Sequence, residues 1–190
     1  MQPHHHEALP PQGCFLEGEK IYLRPLTEED ALGHYPAWLN DHKVCSGNTH
    51  AVYPYSTEEA VNFIRQSRGR RDAIVLAIVE KERRRHIGNV SLQSINFIAR
   101  SAELAILLGE KESWGKGIGT EASFLMIRHA FLNLNMHRVY FGTPASNRGM
   151  QKIGENLGMS KEGCCREAFY KNGKYEDIWE YGLLRSEFKF

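Results

Sequence analysis

Trp114-Gly115-Lys116-Gly117-Ile118-Gly119-Thr120-Glu121-Ala122 is the stretch whose reading decides the fold. Three glycines in five residues stand just ahead of the clearest helix in the chain, expected over 119–134, in which Phe124, Ile127, Phe131 and Leu134 recur at spacings of three and four. Glycine lets backbone approach a ligand closely, and a helix N-terminus adds unpaired N–H groups with partial positive charge, so the stretch reads as a phosphate cradle. Two common phosphate motifs are absent. A P-loop needs GxxxxGK followed by Ser or Thr, and the dinucleotide fingerprint GxGxxG would need glycine at 115, 117 and 120, where position 120 is Thr. The preceding strand is also not the first of a βαβ unit, where that fingerprint sits.

Working outward, Glu103–Leu108 alternates Leu104, Ile106 and Leu108 with Glu103, Ala105 and Leu107 and reads as a strand, as do 86–97 and the apolar run 73–79. Lys20–Leu26 reads as an opening strand in which Pro25 marks an edge position or a strand end. Thr27 followed by Glu28, Glu29 and Asp30 starts a helix through Tyr35, Trp38 and Leu39 that Pro36 kinks or breaks. A loop follows over 41–55. Ser56 and Glu59 then form a capping box for the next helix. On the C-terminal side come a strand at 138–143 and a short helix capped by Asn147 and stopped by Gly158. Last are two strands, 161–170 and 176–184, flanking the hairpin signal Asn172-Gly173. The order predicts an α/β (α+β) fold with a single mixed, mostly antiparallel sheet flanked by helices. A flexible tail is expected over residues 1–17 and one domain over residues 18–190.

The 190 residues suit one domain. Twenty-four Lys and Arg against 23 Asp and Glu leave no strong field toward nucleic acid or a membrane, so neither is expected as a partner. No apolar stretch is long enough to span a bilayer, and the N-terminus lacks the apolar core of a signal peptide. Cys14, Cys45, Cys164 and Cys165 show no CxxC spacing, which fits free thiols in a reducing cytoplasm and no metal site. His4, His5 and His6 read as part of the tail.

With these motifs in this order, the chain resembles the GNAT N-acetyltransferases, and within them the RimJ/RimL-like branch. Gly117 and Gly119 match that family's pyrophosphate loop, and Trp114 with Gly115-Lys116-Gly117 and Thr120-Glu121-Ala122 matches the branch's variant of it. Tyr22–Leu26, the segment from Asn147 to Leu157-Gly158-Met159, and Gly173–Asp177 resemble its opening strand, last helix and closing hairpin.

The resemblance implies acetyl-CoA as cosubstrate, held where the fourth and fifth strands part. Ile106, Leu107 and Leu108 would pair with the pantetheine arm, and Trp114, Gly115, Lys116, Gly117, Ile118, Gly119 and Thr120 would hold the pyrophosphate. Asn147 would reach the arm from the last helix. An amine of unknown identity would attack the thioester, with Glu103 as base. The tyrosine that many relatives use as acid falls at Gly154, so Tyr170 is a candidate substitute. Trp38, Asn40, Tyr53 and Tyr55 are candidate acceptor-site walls, and a homodimer fits the resemblance. The competing reading is a catalytically impaired acyl-CoA-binding regulatory module.

Overall fold

The computed structural model describes residues 13–189. Its elements run β1 (Leu16–Glu17), β2 (Ile21–Pro25), α1 (Glu28–Leu32), α2 (Tyr35–Asn40), α3 (Thr57–Ser67), β3 (Ile74–Glu80), β4 (Arg85–Asn96), β5 (Ser101–Leu108), α4 (Ile118–Leu132), β6 (Arg138–Pro144), α5 (Arg148–Asn156), β7 (Ser160–Lys171) and β8 (Lys174–Leu184). The strands form one eight-stranded sheet in the order β1-β2-β3-β4-β5-β6-β8-β7. Only β5 and β6 run parallel among its neighbours. This is the expected mixed, mostly antiparallel sheet with helices on its faces.

The strand alternation sends residues to two cores. On one face Leu23, Ile78, Leu92 and Leu104 pack against Met126, Ile127 and Phe131 of α4. On the other, Tyr22, Ala77 and Val79 pack against Tyr35, Trp38 and Ile64 of α1–α3 and their flanks. Each large side chain so buried contributes about 1.5–3 kcal/mol. Helix α4 is buried more widely than a single stripe: Ile118, Ala122, Leu125, Met126 and Ala130 are covered as well. Phe188 accounts for part of this, with its ring 5.3 Å from Phe124 and 5.4 Å from Phe131.

Three boundaries differ from the sequence reading. Residues 1–12 of the expected tail, including His4–His6, lie outside the described residues, but Leu16 and Glu17 already pair with Leu23 and Tyr22. The first helix is two helices. The break falls at Gly33 and His34, because Pro36 is tolerated in the first turn of α2 but not inside a continuous helix. The closing hairpin is longer at its tip, with Asn172 and Gly173 at φ of 52° and 79°, the left-handed pair that a two-residue turn requires.

Candidate active site

Strands β5 and β6 share three rungs, Ser101 with Arg138, Ala102 with Val139 and Glu103 with Tyr140. Beyond them β6 continues alongside β8 to Pro144, and β5 continues alongside β4 to Leu108. The two strands therefore part in a V. In an antiparallel pair, alternate residues exchange both hydrogen bonds with the partner strand. The bond from Gly109 N to Ile87 O fixes the phase: residues 103, 105 and 107 bond β4, while Ile106 and Leu108 direct their N–H groups into the V. That edge is a template for an extended ligand.

The glycine-rich stretch lies at the outer end of the same edge. Gly115 and Gly117 have φ of 73° and 82°, and around each the Cβ position is open space. Gly117 caps α4, and its carbonyl accepts from Glu121 N at 3.0 Å. The backbone N–H groups of residues 115–120 donate to no acceptor among the described residues. Six donors, a helix N-terminus and an unfilled approach fit a pyrophosphate. The Trp114 indole donates to Leu108 O at 2.9 Å, which brackets the loop against the end of β5. Glu121 accepts from Lys20 N at 2.9 Å, and Lys20 Nζ donates to Lys116 O at 3.1 Å, so the residue just ahead of β2 braces the loop. The Lys116 side chain borders an outer cleft with Lys20, Lys81, Glu80 and Ile118. The signal of this bracing role in the sequence is an acid in the first turn of α4.

Glu103 sits on the last shared rung, at the apex of the V, on the sheet face opposite Leu104 and Ile106. It is partly exposed, and its nearest hydrogen-bond partner is Ser94 Oγ at 3.5 Å. Arg100, a basic residue three positions before it, donates to Asn135 instead of pairing with it. Asn147 Oδ1 accepts from Met150 N at 3.2 Å and caps α5, and its amide lies where a Cβ on Gly47 would be. Tyr170 lies near the tip of the β7–β8 hairpin with its ring 4.8 Å from Tyr175, and no hydrogen bond among the described residues joins it to β5 or to residues 114–120.

Of the four candidate acceptor walls, three are structural parts of one corner. Trp38 is buried with its indole over Gly109, and Nε1 donates to Glu110 Oε1 at 3.1 Å. Burial pushes the Glu110 carboxyl up, but hydrogen bonds from His34 and Trp38 and the charge of Arg85 leave it below the usual carboxylate range. Asn40 clamps the loop ends: Nδ2 donates to Tyr55 O at 2.7 Å, and Tyr55 N donates to Oδ1 at 2.8 Å. The Tyr55 ring faces Tyr35 at 6.3 Å. Tyr53 is 83% exposed and open to a ligand or to solvent.

A free strand edge fit for an extended ligand thus adjoins a helix N-terminus whose open donors fit a pyrophosphate. Residues 20–160 match the acetyltransferase (GNAT) domain family, and the chain belongs to that family. It is 32% identical over 111 residues to the spermidine N(1)-acetyltransferase of Vibrio cholerae; the match covers 58% of this chain and 64% of that enzyme, just under two thirds of its length. An N-acetyltransferase of Bacillus subtilis, YoaA, is 25% identical over 181 residues, 90% of this chain and 96% of that one. Among solved structures, spermidine N-acetyltransferase from Vibrio cholerae in complex with CoA and spermine superposes with a TM-score of 0.80 at 25% identity, covering 88% of this chain and 97% of that one.

Proposed function

We propose that this chain transfers the acetyl group of acetyl-CoA to a primary amine, either a small molecule or a protein N-terminus, as a cytoplasmic member of the RimJ/RimL-like branch with residues 18–190 as one catalytic domain and a homodimer as its assembly. The Trp114-Gly115-Lys116-Gly117 and Thr120-Glu121-Ala122 pattern supports the branch. The observation that carries the activity is the continuity of the free β5 edge at Ile106 and Leu108 with the open N–H cradle at residues 115–120.

The chemistry follows from that layout. The neutral amine attacks the thioester carbonyl, its nitrogen forming the C–N bond. The carbonyl oxygen takes up negative charge, which a free N–H of the β5 edge would stabilise, Ile106 being nearer to Glu103 than Leu108 is. The amine proton passes to Glu103, directly or through a water. Collapse breaks the C–S bond, and the thiolate leaves and is protonated from solvent or a nearby hydroxyl. No covalent enzyme intermediate is required.

A second reading, an acyl-CoA-binding module without turnover, is favoured by one feature: α5 carries Gly154 where many family members carry an acid. One experiment separates the two. Acetyl-CoA at about 100 times its Kd should stabilise the protein by about 2.7 kcal/mol, a rise in Tm on the order of 5–10 °C. Gly117→Trp should abolish the rise. Glu103→Gln should retain it while amine-dependent thiol release falls by about 100-fold or more. Absence of any rise with acetyl-CoA or CoA would refute the proposal, and a rise with no turnover of any amine would select the module.

A further inference from the structure

Lys171 is the buried charge that the acetyl-transfer chemistry leaves unused. It ends β7, is only 8% exposed, and has no carboxylate partner among the described residues. Its ammonium donates to three backbone carbonyls, of Cys45 at 2.5 Å, Asn48 at 2.7 Å and His50 at 2.7 Å. An ammonium has three donors, so the set is complete. All three acceptors come from the irregular segment 41–55, more than 120 residues away in sequence. Taking an ammonium out of water without an opposite charge is costly, so three converging carbonyls mark a site built to hold it.

The segment so held spans the V. On the β5 side it is fixed by Asp41 Oδ2 against Lys111 Nζ at 2.5 Å and by Cys45 Sγ on Trp38 O at 3.2 Å. On the β6 side it meets Asn147, whose amide packs against Gly47, and then Lys171. The Asn40–Tyr55 clamp ties its two ends together. Residues 41–55 thus form a strap from one arm of the V to the other, on the side carrying Tyr53.

We propose that Lys171 is a positioning residue for the acceptor: it fastens this strap across the V and so sets the wall against which the amine is held. The inference rests on the acetyltransferase reading for its kinetic half alone. Without Lys171 the strap keeps its β5 anchors and loses its hold on the far arm, so the amine is bound less well while the β5 edge and the 115–120 cradle are untouched.

The test compares wild type with Lys171→Met, which keeps the length and removes the donors, and Lys171→Arg, which restores several. Spermidine and tyramine serve as acceptor probes, with thiol release as the readout and thermal unfolding confirming that each variant folds. Lys171→Met should raise the acceptor KM by about tenfold and leave the acetyl-CoA KM within about twofold, and Lys171→Arg should recover part of the loss. Independently of turnover, trypsin should cut after Lys43, the one tryptic site in the strap, faster in Lys171→Met than in wild type. An unchanged cleavage rate would overturn the fastening. Faster cleavage with an unchanged acceptor KM, or equal losses for both substrates, would overturn the positioning role. If wild type itself turns over neither amine and shows no acetyl-CoA-dependent rise in Tm, the acetyltransferase reading has failed, and the cleavage rates alone decide whether Lys171 fastens the strap.

Discussion

Asp30 shows how much a single side chain can organise. It receives Arg24 Nη1 at 2.8 Å and Nη2 at 2.7 Å, accepts from Thr27 N at 2.8 Å, and lies 3.2 Å from His86 Nδ1. His86 in turn packs edge-on against Trp38. The carboxylate therefore joins β2, the start of α1 and β4 beneath the corner that holds Trp38 and Tyr35. Burial pushes its pKa up, yet the hydrogen bonds from Arg24 and His86 and the nearby charge hold it well below the usual carboxylate range. The folded value lies under the unfolded one of about 3.9. Its contribution to stability is thus complete above about pH 4 and is lost as pH falls toward the folded value. Asp30→Asn should cost about 3 kcal/mol at pH 7, because it leaves Arg24 without its partner in a buried site. Thermal unfolding at pH 7 and pH 3 checks this: the gap between wild type and variant should be smaller at pH 3, and a gap of equal size would show that charge is not what Asp30 supplies. In sequence, Asp30 is legible as a helix-start acid and no more. Lys171 is less legible still, since a lysine beside Asn172-Gly173 looks like a solvated turn charge until the fold places residues 45–50 around it.

Elements were the most legible scale. The capping box at Ser56 and Glu59 is formed, with Glu59 N on Ser56 Oγ at 3.1 Å and Ser56 N on Glu59 Oε2 at 2.6 Å. Gly158 ends α5 at a φ of 72°. These signals are local, so sequence carries them. What α5 does with position 154 is not local. A Cβ there would lie 2.9 Å from Phe141 Cζ and 3.3 Å from Tyr181 Cδ1, two rings stacked 4.9 Å apart under the helix. The position points into the core, so a tyrosine would have to displace that stack rather than reach the V. Gly154→Tyr should therefore cost at least about 1–3 kcal/mol by overpacking and should not raise turnover. A variant with unchanged Tm and faster thiol release would show instead that the enzyme had lost its acid at this position.

Across the molecule, the sheet behaves as two arms joined by three parallel rungs, with α4 packed across both and its N-terminus at the outer end of the V. The sequence suggested strands on either side of the opening, but where two strands stop pairing depends on β8 competing for β6 and β4 holding β5, which no local pattern encodes. The consequence is a measurable alternation along β5. Ala105 and Leu107 donate to β4, so their amides should exchange slowly with solvent deuterium whether or not a ligand is present. Ile106 and Leu108 face the V, so theirs should exchange fast in the free protein and slow markedly when acetyl-CoA is added. The cradle amides of residues 115–120 should slow with them, because one ligand spans both. Residue-resolved exchange by NMR distinguishes this from general rigidification, which would slow amides in β3 and β7 alike and leave no alternation. Protection of the cradle without protection of Ile106 and Leu108 would place the pyrophosphate correctly while showing that the acyl arm takes another path, and the proposal of Glu103 as base would fall with it.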